Sequence, residues 1–141
     1  MEEKSIKENT ERIIKRIEEE AKVLNGDYSK VFVGGFSQGC CMALNSTILA
    51  PFKVGGVIGL SGAVFESLLA TIDSDKDDSR FGDKKKNLSI FVYHGKADQV
   101  IPYPHAKESY DLLIASGFQK VEFYDEDYLP HSVSPQEILS I

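Results

Sequence analysis

The nine residues Val31-Phe32-Val33-Gly34-Gly35-Phe36-Ser37-Gln38-Gly39 constrain this chain more than any others. A short apolar, partly β-branched run ends in glycines, a serine follows, and a helical pattern begins at once. This reads as a strand, a tight turn and a helix, with the serine at the turn. Gly35-Phe36-Ser37-Gln38-Gly39 has the spacing G-x-S-x-G, in which a strained turn pushes the serine hydroxyl clear of the backbone. A side chain on either glycine is expected to crowd that turn. The helix that follows aims its free N–H groups and its positive end at the serine, where a negatively charged oxygen would form. A bare G-x-S-x-G is matched as well by an incidental serine. The strand before it and the helix after it supply the context the chemistry needs.

The chain has 141 residues, which suits one domain, 1–141, with a modest core. Hydrophobic residues make up 42% and charged residues 27%, the balance of a folded globular protein rather than a disordered one. A net charge of −6 and a pI near 5.1 argue against nucleic acid or an anionic membrane as the main partner. No apolar run is long enough to span a bilayer. The charged start Met1-Glu2-Glu3-Lys4 lacks the apolar stretch of a signal peptide. Cys40 and Cys41 are adjacent, a spacing that disfavours a disulfide between them. They read as small apolar helix residues in a reducing, cytoplasmic setting.

In chain order, Ile6, Ile13, Ile17, Ala21 and Leu24 recur at helical spacing, predicting a helix over 3–24 stopped by Asn25-Gly26. Val31 to Gly35 is a strand that reads as fully buried. A helix over 38–50 ends before Pro51. Val54 to Leu60 is a buried strand, and Phe65 to Ile72 is a short helix or an irregular apolar segment. Residues 73–87 turn polar and charged and read as a mobile surface loop. Their aspartates do not match the calcium-loop spacing, and no metal is expected there. Leu88 to Tyr93 is a strand, Pro104 to Ser116 a helix ended by Gly117, and Lys120 to Tyr124 the last strand. Ser134-Pro135-Gln136-Glu137 has the composition of a capping box opening a final helix.

Strands alternating with helices predict a mostly parallel sheet of about four strands with helices on both faces. In such sheets sites lie at the C-terminal ends of the strands. Ser37, Asp98 and His131 each follow a different strand, in the order serine, acid, histidine. Taken singly, Asp98 is a turn residue and His131 a surface histidine. Together with the serine turn they read as a triad. Ser37 is the nucleophile, His131 the base and Asp98 the group that orients the imidazole. The backbone N–H of Gln38 is one donor to an oxyanion. His94 reads as a residue that satisfies backbone groups beneath the acid loop, His105 as exposed, and Tyr103, Tyr124 and Tyr128 as packing residues.

Gly34-Gly35-Phe36-Ser37-Gln38-Gly39, Leu60-Ser61-Gly62-Ala63, His94-Gly95-Lys96-Ala97-Asp98 with Val100-Ile101-Pro102, and His131 resemble, in order and spacing, the acyl-protein thioesterase/carboxylesterase (phospholipase/carboxylesterase) family of α/β-hydrolases. The resemblance implies a partial α/β-hydrolase fold. It implies Ser37, Asp98 and His131 as catalytic residues and Gln38 as half of the oxyanion hole. It also implies hydrolysis of S-acylated proteins, small carboxylic esters or lysophospholipids, with no cofactor and no metal. Cys40 and Cys41 stand where the family usually has small residues.

The same resemblance shows departures. The family has a longer N-terminal half, with a glycine-containing loop that donates the second oxyanion N–H, and its final helix runs past the position of Ile141. Losing one oxyanion donor costs on the order of 10²–10³ in rate. The strand at 31–35 becomes a sheet edge, and an uncovered apolar edge invites pairing. A partner chain or a homo-oligomer covering that edge is therefore expected. Two functions fit: a serine esterase or thioesterase completed by a partner, or a non-catalytic subunit of the same fold in a larger assembly. A fragment of a longer chain fits as well.

Overall fold

A computed structural model describes residues 2–132. The elements in chain order are α1 (Glu3–Val23), a short 3-10 turn (Tyr28–Lys30), β1 (Phe32–Phe36), α2 (Gln38–Leu49), β2 (Gly56–Leu60), α3 (Glu66–Ser74), α4 (Gly82–Asn87), β3 (Ser89–Gly95), α5 (Tyr103–Ala115) and β4 (Val121–Glu126). Helix α1 stops where Asn25 and Gly26 both take positive φ, and the Gly26 N–H returns to the Ala21 carbonyl at 2.7 Å. The final helix expected from Ser134 lies outside the described residues.

The four strands form one sheet in the order β1-β2-β3-β4, with every pairing parallel. The register sets Val33, Val57, Ile90 and Val121 side by side, and Phe32, Gly56 and Ser89 likewise on the other face. Val57, Ile90, Val92 and His94 point into the layer formed by α2 and α5 and are buried. Helix α1 packs on α2 rather than on the sheet. Buried Asn45 of α2 donates its side-chain N–H to the Thr10 hydroxyl of α1 at 2.8 Å.

This arrangement corrects the expectation of helices on both faces. Among the described residues the helices cover one face. Parallel strands laid down in sequence order, each joined to the next by a right-handed crossover, place every connecting helix on the same side. On the opposite face Phe32 is 64% exposed and Phe36 and Tyr124 are 42% exposed, flanked by half-buried Ile58, Leu60 and Phe91. A groove of about 530 Å³ runs across it over Phe32, Ile58, Phe91 and Glu122. The reading of β1 as fully buried is corrected too. It is an edge strand whose exposed and half-buried residues alternate.

The stretch 73–87, read from sequence as a loop, is partly helical, since α3 runs to Ser74 and α4 spans Gly82–Asn87. Phe81 and Lys84 turn inward and are buried. Lys84 Nζ donates to the Ile48 carbonyl at 2.7 Å and to the Ala50 carbonyl, at the C-terminal end of α2. Within Lys84-Lys85-Lys86 the charge suggests solvent. The free carbonyls and negative end of a helix are an alternative destination for one such ammonium, with its stem packed against apolar surface.

Candidate active site

Strand β1 delivers the chain to Ser37, which takes φ 61° and ψ −122° before α2 begins at Gln38. A non-glycine residue with positive φ is uncommon and marks a constrained turn. Ser37 occupies the cap position of α2, yet its hydroxyl makes no cap hydrogen bond. Its Oγ lies 2.8 Å from Nε2 of His131 instead. Gly35 permits the turn: a Cβ there would lie 2.1 Å from the Gly39 carbonyl oxygen and 2.7 Å from the Cys40 nitrogen. The same expectation for Gly39 is corrected, because nothing stands within 4 Å of a Cβ at that position. The space the turn requires is taken from Gly35 alone.

Cys40 fixes the first turn of α2 from beneath. Its Sγ fills the room left by two glycines, since a Cβ at Gly59 would lie 2.5 Å from it and one at Gly62 2.6 Å. Tyr110 of α5 donates its hydroxyl to the Gly62 carbonyl at 2.8 Å, and its oxygen lies 3.6 Å from the Cys40 sulfur. With the tyrosine proton committed to Gly62, the Cys40 thiol is the donor to Tyr110. This chain ties α2, the β2–α3 turn and α5 together directly under Ser37.

Asp98 follows β3 and is buried. Its Oδ1 accepts the N–H groups of Val100 and Ile101, both at 2.9 Å. Its Oδ2 lies 2.8 Å from Nδ1 of His131. Burial pushes the carboxyl up, but the hydrogen bonds from His131, Ile101 and Val100 together hold it below the ordinary carboxylate value. The side chain is therefore an acceptor, and His131 Nδ1 is the donor to it.

His131 lies beyond β4 and is placed by backbone contacts. The N–H of Ala97 bonds the Leu129 carbonyl at 3.0 Å, and that of Lys96 bonds the Glu126 carbonyl at 3.0 Å. The acid loop and the histidine loop thus hold each other. Ser61 donates its hydroxyl to the Ser132 carbonyl at 3.4 Å, and the Phe36 ring stands 5.0 Å from the imidazole. With Nδ1–H directed to Asp98, Nε2 is the acceptor for the Ser37 hydroxyl. The structure thus brings Ser37, His131 and Asp98 together at the C-terminal ends of the strands.

Gln38 begins α2, so its N–H is among those for which a helix offers no acceptor. His94 bonds the Ile101 carbonyl at 2.7 Å, and His105 is exposed, as their sequence positions suggest. Tyr103 combines packing against Phe123 with a hydrogen bond to Asp125 at 2.5 Å. Gly62 and Gly95 stand in the motifs that carry the family resemblance, whereas Gly59 and Tyr110 are supports that the sequence does not single out. A groove of about 500 Å³ opens between α2 and the acid loop, lined by Cys41, Ala63, Val64, Val100 and Ile101. Among the described residues no group of three His, Cys, Asp or Glu side chains is placed to hold a metal ion, and no helix is long and apolar enough to cross a membrane.

The sequence profile of the phospholipase/carboxylesterase family matches residues 1–141. The chain belongs to this family. Among similar family members, the acyl-protein thioesterase 1 of Debaryomyces hansenii is 35% identical over 113 residues, covering 77% of this chain and 44% of that protein. That of Emericella nidulans is 36% identical over 110 residues, covering 78% of this chain and 44% of that protein. The crystal structure of Arabidopsis thaliana SOBER1 superposes with a TM-score of 0.82 at 29% identity, over 99% of this chain and 62% of that one. That of Zea mays acyl-protein thioesterase 2 gives 0.71 at 28% identity, over 93% and 62%. The fold is that of an α/β-hydrolase of this family. The chain spans about half the length of the curated relatives it matches.

Proposed function

We propose that this chain carries the catalytic half of a serine hydrolase that cleaves thioester or carboxylic ester bonds, in acylated proteins or small esters. The observation that supports it is the relay Ser37–His131–Asp98, with both hydrogen bonds at 2.8 Å. Ser37 Oγ attacks the acyl carbon while its proton passes to His131 Nε2. The developing imidazolium is held by Asp98. The oxyanion receives the Gln38 N–H at the positive end of α2. Collapse breaks the bond to the leaving thiol or alcohol, which takes the proton back from His131 and leaves acyl-Ser37. Water, deprotonated by His131, then hydrolyses the acyl-enzyme. The groove beside the acid loop offers Ile6, Val64, Phe65, Val100 and Ile101 to an apolar acyl group, with Glu3, Glu66 and His105 in the same lining. A fluorophosphonate probe tests the reading. It should label the chain at Ser37, and labelling and p-nitrophenyl ester hydrolysis should both vanish in Ser37→Ala. Label that persists in that variant places the chemistry elsewhere.

A second reading, an interaction or structural subunit of the same fold, is favoured by the open apolar sheet face. A folded chain that resists the probe would decide for it. On either reading we propose that another chain, a second copy or a partner, covers the edge strand 31–35. Size-exclusion chromatography with light scattering should show an assembly larger than one chain. A stable monomer with rapidly exchanging Phe32 and Gly34 amides, which point away from β2, would exclude it. The two free, buried cysteines fit a reducing, cytoplasmic location.

A further inference from the structure

We propose that His94 is a positioning residue for Asp98: it locks the 98–101 turn from the side opposite His131 and so aims the carboxylate that orients the imidazole. The proposal rests on the hydrolase reading for its catalytic consequence, but its geometry stands apart from it.

His94 lies near the end of β3 on the helix-covered face and is wholly buried. Its Nε2 is 2.7 Å from the Ile101 carbonyl oxygen and 3.4 Å from Asp98 Oδ2. A carbonyl oxygen only accepts, so Nε2 carries the ring proton and donates. Ile101 is then held at both ends of its residue: Asp98 Oδ1 takes its N–H at 2.9 Å, and His94 takes its C=O. The turn cannot rotate without breaking one of the two. Asp98 Oδ2 sits between two imidazoles, with His131 Nδ1 at 2.8 Å and the edge of His94 at 3.4 Å. Tyr103 is the other titratable side chain beside it, its ring centroid 6.4 Å from that of His94.

A space-filling role would not call for a histidine. His94 Nδ1 is buried without a hydrogen-bond partner among the described residues. Leucine or phenylalanine would fill the site without that cost, because a buried polar atom left unpaired is unfavourable. The Nε2–H is the feature an apolar residue cannot replace.

Two variants of the full chain separate the roles. The amide nitrogen in His94→Gln lies as many bonds from Cα as Nε2 does, so it reaches the Ile101 carbonyl. That in His94→Asn lies one bond short. The readout is ¹⁵N and ¹H NMR of the His131 ring. The original chain and His94→Gln should hold the His131 proton on Nδ1, with its far-downfield signal. His94→Asn should lose that signal and show mixed tautomers. On a p-nitrophenyl ester, kcat of His94→Asn should fall on the order of 10–100-fold with KM unchanged, as for loss of an outer partner that orients a reacting group, and His94→Gln should recover most of it. A His131 ring unchanged in His94→Asn, or Gln and Asn variants equally impaired, would overturn the proposal. The unsubstituted chain gives a test that needs no variant: its His94 ring must carry the proton on Nε2, and a proton on Nδ1 instead overturns the assignment. Absence of fluorophosphonate label on Ser37 would defeat the hydrolase reading alone, because the ring spectra still decide the role of His94.

Discussion

Gly95 and Leu129 touch backbone to backbone: a Cβ on Gly95 would lie 2.0 Å from the Leu129 carbonyl oxygen. That oxygen also accepts the Ala97 N–H, so the contact couples the end of β3 to the segment that carries His131. The glycine is required by close approach rather than by an unusual dihedral angle.

Gly95→Ala must therefore push the 127–131 segment away from the acid loop. Overpacking of this kind destabilises by about 1–3 kcal/mol. A displacement of about 1 Å at His131 lowers the rate on the order of 10²-fold. Circular dichroism should report a folded chain, while the rate of fluorophosphonate labelling at Ser37 collapses. An unimpaired labelling rate would show that the two loops are not coupled through this contact.

Asp98 gives a prediction in pH. Its folded-state carboxyl titrates below the ordinary value, burial being outweighed by the hydrogen bonds from His131, Ile101 and Val100. A carboxyl lowered on folding stabilises the protein above its unfolded value of about 3.9, and that stabilisation disappears as pH falls through the folded value. Urea unfolding between neutral pH and pH 2 should show a steeper acid loss in the original chain than in Asp98→Asn. Parallel curves would mean the hydrogen bonds to Asp98 do not outweigh its burial. On the proposed mechanism, the same variant should lose on the order of 10⁴ in kcat at neutral pH.

The two cysteines should be inert in the folded protein. Burial pushes the Cys40 thiol up to about 12, and burial raises that of Cys41 as well. Only thiolates react readily. Iodoacetamide at pH 8 should modify neither residue until urea unfolds the chain, as read by mass spectrometry. Prompt modification of Cys40 would contradict its packing against Gly59 and Gly62.

Lys84→Met tests the buried ammonium on the carbonyls of Ile48 and Ala50. Methionine keeps the volume but leaves two buried acceptors without their donor, which costs about 1–3 kcal/mol. The loss should appear in denaturant unfolding, with the labelling rate at Ser37 unchanged because the serine stands at the other end of α2. Unchanged stability would mean that water reaches those carbonyls.

Much of this was legible from residue order. The strands fall within about two residues of their expected places because each apolar run is bracketed by glycine, proline or charge. The three residues that meet at the site could be named because each follows a strand end. What the sequence hides is the strand order. Alternation of strands and helices is the same whether the sheet grows in one direction or doubles back, and only the former leaves Phe32, Phe36 and Tyr124 open to solvent. Lys84 is hidden for a different reason, since a lysine between lysines shows nothing of the helix end waiting for it. Gly39 misleads in the opposite sense: the pattern suggests a steric need, yet the turn curves away and leaves its side-chain position empty.

The Ser37–His131 contact joins residues 94 positions apart. Sequential pairing of the strands means that the hydroxyl meets its imidazole only after the last strand has docked on the third. On the proposed function, reactivity of the serine then requires all four strands in place. A probe that reacts with Ser37 during refolding should read out completion of the whole topology, whereas backbone spectroscopy registers helix and strand content wherever it forms.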